Sequence, residues 1–444
     1  MKNYLIAIFS LASFTIYAQF QDQRIFDIIE SVSEERLKSD VNKLANFGTR
    51  NTFSDTLSNS RGIGAARRWI KSEFDKISEA CNGCLEVFYH RTMVTPDMGN
   101  RVPKEAEVVN VVAVLRGKTF PNSYVIMSGD IDSRASDTQD YSTDAPGAND
   151  NATGMAGTIE AARVLSAYEF DHSIVFTGLS GEEQGLFGGQ FLAQYAKDND
   201  WNIMGIINND MIGNIQGIDG VIDNRSFRIF SEAINPTVTG RERRLMRFYG
   251  GENDGKSRQL ARYIYKNVKT YMPEMNPMLI YRLDRFGRGG HHKPFNDLGY
   301  PGVRIMEAHE NYNWQHQDIR IENGIAYGDV VEHVNFPYHK KLTAVNAINL
   351  ASMAWAPPQP ENVGIGGAVQ PSTRLQWTKV KNAKGYVVYW RDTTSPTWQY
   401  SRYVGDVDNF TLKNIVIDNY LFGVASIGEN GIESIVAYPN RVMR

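Results

Sequence analysis

Five short stretches of the chain concentrate side chains able to hold a metal ion or move a proton. They are Gly129-Asp130-Ile131-Asp132-Ser133, the loop Pro146-Gly147-Ala148-Asn149-Asp150-Asn151-Ala152-Thr153-Gly154, the turn Ser180-Gly181-Glu182-Glu183-Gln184-Gly185, Asn208-Asn209-Asp210-Met211, and the segment 311–318 with His316 near its centre. In an extended segment alternate residues project to one face, so Asp130 and Asp132 point the same way. Two adjacent carboxylates repel and need a cation, a donor or a shared proton to coexist. Singly, each stretch has an ordinary reading: Asp150 as a helix cap, Glu182 and Glu183 as solvated charges, Asp210 as a turn residue, His316 as a surface histidine. Together they do not, because several carboxylates gathered at one edge of a sheet repel prohibitively unless divalent cations neutralise them.

The elements that must position these residues alternate. Apolar runs at Val108 to Leu115, Tyr124 to Met127, Ser173 to Leu179 and Ile203 to Asn208 read as buried strands, and Gly154 to Tyr168 and Gly188 to Lys197 as helices between them. Strand–helix alternation predicts an α/β fold, a doubly wound and mostly parallel sheet flanked by helices. Ligands then bind beyond the carboxyl ends of the strands, where the acidic stretches fall. Leu85 to Arg91 adds a further strand. Helical spacing at Ser60 to Ile77, Ser257 to Val268 and Tyr338 to Trp355 extends this unit to residue 355.

Three flanking features complete the organisation. Residues 1–18 read as a cleaved signal peptide, with Lys2, an apolar core from Leu5 to Tyr17 and Ala18 at the cut, so the expected location is secreted or periplasmic. Residues 356–360 form a proline-rich linker, and 361–444 carry short alternating strands such as Gly385 to Trp390 and Tyr420 to Val424, which predict a small all-β sandwich resembling a fibronectin type III domain. Cys81 and Cys84 are the two cysteines, and their spacing around Asn82-Gly83 predicts a local disulfide. A balance of 47 basic against 50 acidic residues gives no footprint for nucleic acid, and no second long apolar run suggests an integral membrane protein.

The five stretches, in order and with Glu160-Ala161-Ala162-Arg163 behind the second and Phe47-Gly48-Thr49-Arg50 before them, closely resemble the co-catalytic di-zinc aminopeptidases of metallopeptidase family twenty-eight, the bacterial leucyl aminopeptidase type. The resemblance covers most of residues 35 to 355. It implies two divalent ions, zinc first, with Asp150 bridging them, Glu183 and His316 completing one site, and Asp130 and Asp210 belonging to the other. It further implies Glu182 as general base, Asp132 as the carboxylate supporting the same motif, a cis bond between Asp150 and Asn151, and a peptide or protein substrate.

One position departs from that pattern. The family carries histidine where this chain has Asp130, and His291 stands where the family has aspartate, with His292 beside it. An added carboxylate makes bound water less acidic and an Asp130/Asp210 subsite harder, favouring manganese, magnesium or calcium there. An exchange of charges between Asp130 and His291, with either histidine beside the site, is the compensation the sequence suggests. The expected function is a secreted exopeptidase acting at amino termini. A non-catalytic metal- or peptide-binding protein, and glutaminyl cyclisation on the same fold, are the alternatives. The walls of the substrate pocket are expected from loops such as 213–225 and 234–254, and the C-terminal module is expected to contact a surface or polymer.

Overall fold

The computed structural model describes residues 21–443. The expected signal peptide, residues 1–18, lies outside the described residues. Helices α1 (Gln23–Ser31) and α2 (Glu34–Ala45) begin at Asp22 and Ser33, whose side chains accept bonds from the backbone of Arg24 and Arg36. Such caps satisfy first-turn donors that have no partner within the helix. Helix α3 (Gly62–Ala80) runs into the Cys81–Cys84 disulfide, after which β1 (Leu85–Val94) turns back along β2 (Ala106–Leu115).

The remaining strands of the main sheet are β3 (Phe120–Asp130), β4 (His172–Leu179), β5 (Asn202–Asn209), β6 (Ser226–Ser231), β7 (Asn276–Ile280) and β8 (Gly302–Glu307). They lie in the order β1-β2-β4-β3-β5-β8-β6-β7. The four central strands β4, β3, β5 and β8 are parallel, whereas β1–β2, β2–β4 and β6–β8 pair antiparallel. The centre therefore has the parallel topology that the alternating pattern implies, and all of its strands end on one edge. Strand β4 is buried along its whole length, as a Ser-Ile-Val-Phe run covered on both faces must be.

Helix α4 (Gly154–Leu165) and the long α10 (Phe336–Trp355) cover one face with α1 and α2, and α6 (Phe187–Asp198) and α9 (His292–Asp297) cover the other. Two apolar clusters result, one around Met155, Ile159 and Val345, the other around Leu192, Ala193 and Phe295. The short α5 (Glu182–Gly185), α7 (Gly240–Met246), α8 (Lys256–Tyr271) and the hairpin β9 (Arg320–Glu322) with β10 (Ile325–Tyr327) complete the unit. Among the described residues no helix is long and apolar enough to cross a membrane.

Beyond residue 360 the chain builds two sheets. One holds β11 (Glu361–Gly366), β12 (Thr373–Thr378), β15 (Asn409–Leu412) and β17 (Arg441–Val442); the other holds β13 (Gly385–Asp392), β14 (Tyr400–Gly405) and β16 (Tyr420–Ile427). Val363, Leu375, Trp377, Tyr386, Val388 and Phe422 fill the space between them. This sandwich is docked rather than tethered. Asp254, fully buried, takes Arg262 of α8 at 2.5 Å on one oxygen and Arg391 of β13 on the other, and Lys266 of α8 reaches Glu433 at 2.8 Å. The loop 234–254, expected at the substrate pocket, instead lines a cleft against residues 359–363 and 436–440.

Removing Asp254 leaves two buried guanidinium groups without their shared anion. Asp254→Ala is expected to destabilise the protein by about 3–5 kcal/mol, the usual cost of breaking a buried ion pair, measured by urea unfolding. A loss under about 1 kcal/mol would show the pairing to be solvated instead.

Candidate metal centre

The common edge of β3, β4, β5 and β8 collects the acidic stretches because each follows the end of a strand. Asp130 is the last residue of β3, Glu182 and Glu183 open α5 just after β4, Asp210 follows β5, and His316 lies in the loop after β8. Asp150 arrives from the side, on the turn 148–153 that leads into α4. The peptide bond between Asp150 and Asn151 is cis, as the family resemblance implies. Gly147 begins the turn at φ +52°, and a Cβ there would sit 2.4 Å from the carbonyl oxygen of Asp150, so only glycine fits.

Two buried side chains fix that turn. The carboxylate of Asp329 accepts the backbone N–H groups of Asn149 and Asp150, each at 2.7 Å. The guanidinium of Arg50 donates to the carbonyls of Ile131, Leu44, Gly147 and Pro146, joining the end of β3 to the start of the turn. Asp132 performs a similar service for α5, its two oxygens accepting the N–H groups of Glu182 at 3.2 Å and Glu183 at 3.1 Å. Burial, then the charge of Glu183, pushes the Asp132 carboxyl up to about 6.

Three of the five expected ligands meet. Asp150, Glu183 and His316 bring one ligand atom each within 4.8 Å of one another, and His316 Nε2 stands 2.8 Å from both Asp150 Oδ2 and Glu183 Oε1. Burial works against a charge on His316, but the two carboxylates prevail and hold its imidazolium up to about 10. Arg134 backs the cluster, with Nε 3.0 Å from Glu183 Oε2 and a terminal nitrogen 2.8 Å from His316 Nδ1. Two carboxylates and one imidazole with an open side are a donor set suited to zinc with a free coordination position. A dication here would be bound by the neutral imidazole ring and the two carboxylates. The residues present fit one ion here.

The other two expected ligands are engaged elsewhere. Asp130 has both oxygens occupied, Oδ1 at 2.6 Å from His291 Nδ1 and Oδ2 accepting Asn151 Nδ2 at 2.7 Å. Burial raises the Asp130 carboxyl well above its usual range and lowers His291 to about 4, each toward its uncharged form. Asp210 Oδ2 lies 2.7 Å from a terminal nitrogen of Arg304, whose other terminal nitrogen is 3.1 Å from Asp284. Burial pushes the Asp210 carboxyl up to about 6 against the pull of that guanidinium. Thus Asp130 does not stand with Asp150 and Asp210 as a ligand group, and His291 meets Asp130 as an exchange of charges would have it. His292 turns away, its Nε2 2.8 Å from the carbonyl of Leu283.

Glu182 sits beside the cluster at the head of α5. Burial first, then Glu183, Asp210, Asp130 and Asp150, raise its carboxyl well above the ordinary value. A carboxyl shifted in this direction holds a proton more readily than an ordinary glutamate, as a general base requires. The sequence reading missed Arg304, Arg134, Asp284 and Asp329. Only Arg304 left a signal, as a lone charge inside the apolar run Val303-Arg304-Ile305-Met306.

Comparison with known proteins places this geometry in context. Residues 110–332 match the family described as "Peptidase family M28". A "Probable zinc metalloprotease" of Phaeosphaeria nodorum is 37% identical over 438 residues, covering 95% of this chain and 88% of that protein. Among solved structures, the LapA aminopeptidase of Legionella pneumophila superposes with a TM-score of 0.55 at 16% identity, covering 78% of each chain. A glutaminyl cyclase of Macrostomum lignano superposes with a TM-score of 0.53 at 16% identity, covering 75% of this chain and 92% of that one. Likenesses this distant speak to the fold alone; the sequence match across almost the whole chain, together with the acid-rich edge, shows that the chain belongs to peptidase family M28.

Proposed function

We propose that the protein is a secreted zinc-dependent exopeptidase that hydrolyses the amino-terminal bond of peptides. The observation that carries this reading is the Asp150–Glu183–His316 cluster with an unusually basic carboxylate, Glu182, adjacent to one of its ligands. When bound, the ion lowers the pKa of a coordinated water and polarises the scissile carbonyl. Asp150, Glu183 and His316 would hold it. Glu182 takes the proton of the attacking water and returns it to the leaving amine, a role open to it because Glu183, not Glu182, carries the ligand position. Asp132 keeps both in place by holding their backbone amides. The printed name of the Phaeosphaeria nodorum relative supports zinc, and the LapA superposition is in keeping with aminopeptidase chemistry.

Residues 361–444 we read as a fibronectin type III-like module that holds the enzyme against a surface or polymer. Its docking on α8 through Asp254 and Glu433 supports a fixed spacing between the two units.

Two substitutions test the assignment. Glu182→Gln is expected to lower kcat on aminoacyl reporters by about 100- to 10,000-fold, the worth of a positioned proton carrier, while zinc content is unchanged. Equal release by wild type and variant would remove Glu182 from the chemistry. His316→Ala is expected to lose both zinc and activity, with circular dichroism retained; tight zinc in that variant would place the ion elsewhere. Peptides beginning with glutamine separate the two reactions of the fold, since release of the amino acid supports the peptidase and loss of ammonia with ring closure supports the cyclase.

A further inference from the structure

We infer that the second cation position of this acidic edge is taken by the guanidinium of Arg304, so that the protein holds a single metal ion, at Asp150, Glu183 and His316. The inference rests on the proposed metal-binding role of that cluster and goes beyond it in number and place. Arg304 projects from the middle of β8, opposite Asn208 of β5, and is wholly buried. Its planar fork spans Asp210 and Asp284, one terminal nitrogen to each, and also reaches the carbonyl of Gly289 at 3.2 Å. The neighbouring Arg285 adds its backbone N–H and side chain to Asp284 and continues to Glu310 at 2.8 Å.

Arginine is suited to this post as lysine is not, because it stays charged at any accessible pH and meets two carboxylates with fixed geometry. Asp210, Asp150 and Glu182 all lie within the field of Arg304 and strengthen its charge against the penalty of burial. A dication bound through Asp210 would have to sit beside this fixed positive group. It would also have to strip Asp130 of the bonds to His291 and Asn151. Buried polar atoms there lack a partner, among them Asp210 Oδ1, His291 Nε2 and Arg304 Nε. Among the described residues, however, they belong to no group of three metal-capable side chains; the one such group is Asp150, Glu183 and His316.

The departure at Asp130 then has a physical sense. With an arginine serving as the second cation, a histidine ligand has nothing to bind, and Asp130 instead closes onto His291 at 2.6 Å and Asn151 at 2.7 Å.

Zinc stoichiometry of the full-length protein decides the matter, measured by equilibrium dialysis with elemental analysis and by calorimetric titration of the metal-free chain. The expected result is one equivalent per chain. Arg304→Gln is expected to take up a second equivalent. Two equivalents in the wild type would overturn the inference while leaving the peptidase reading intact. A folded Arg304→Gln protein that stays at one equivalent would overturn the role of the guanidinium. A wild type that binds none would overturn both readings. Where the Gln variant fails to fold by circular dichroism, the wild-type count alone decides, one equivalent supporting the inference and two rejecting it.

Discussion

The structure depends on neutralising a concentration of buried acid. Asp130, Asp132, Asp150, Glu182, Glu183, Asp210 and Asp284 crowd one edge of the sheet, nearly all shielded from solvent. Ionised carboxylates in such surroundings are tolerable only when each is paired, hydrogen-bonded or protonated. The protein uses all three means. Arg304 and Arg285 pair with Asp210 and Asp284, backbone amides serve Asp132, and burial beside His291 pushes Asp130 toward its protonated form. Asp150 and Glu183, the latter backed by Arg134, converge on His316 as the one group of three metal-capable side chains among the described residues. A mobile dication therefore has one place where it is needed.

The backbone makes that concentration possible. Parallel strands deliver their carboxyl ends to a single edge, and the close spacing there is enforced by glycines with no room for a side chain. A Cβ on Gly129, one residue before Asp130, would come within 2.4 Å of the Gly154 backbone, and one on Gly154 would strike the carbonyl of Asn209 at the same distance. Strand β3, the start of α4 and strand β5 are thus locked together at backbone contact. Asp130, Asp150 and Asp210 are carried on these three segments, so their proximity follows from main-chain packing rather than from side-chain flexibility. Arg50 and Asp329 then hold the turn from above and below through bonds to carbonyl and amide groups that no substrate would disturb.

Much of this was readable from residue order. Strands such as Val108 to Leu115 and Ser173 to Leu179 are apolar without interruption, and burial on both faces is the one environment that rewards such a run. Strands β6, β7 and β8 escaped notice: each is only five or six residues long, and β8 is interrupted by Arg304. At the site, adjacency within the chain revealed Glu182 with Glu183 and Asp150 within its loop. It did not reveal what stands opposite. Arg304 is 94 residues beyond Asp210 and meets it only because β5 and β8 are neighbours in the sheet. Arg134, shortly after β3, and His316, in the loop after β8, come together across a separation of 182 residues at the same sheet edge. The sequence reading took Asp130 and Asp210 as ligands because it could not see His291 and Arg304 opposite them.

That difference changes how the Asp130 position is understood. Taken from the sequence, an aspartate in place of a ligand histidine is an extra negative charge in a metal shell, and it argues for a harder ion and a less acidic water. In the folded protein the same residue faces His291 across 2.6 Å and is pushed toward its neutral form by burial. Charge is then conserved over the pair while the identities of acid and base are exchanged between β3 and the start of α9. Such an exchange keeps the packing around Gly189, whose missing Cβ leaves room for the His291 ring at 2.7 Å. It gives up the free imidazole nitrogen that a second ion would require on β3. Once Arg304 supplies the positive charge there, that nitrogen has no task, and the softer or harder character of the subsite ceases to bear on which metal the protein holds.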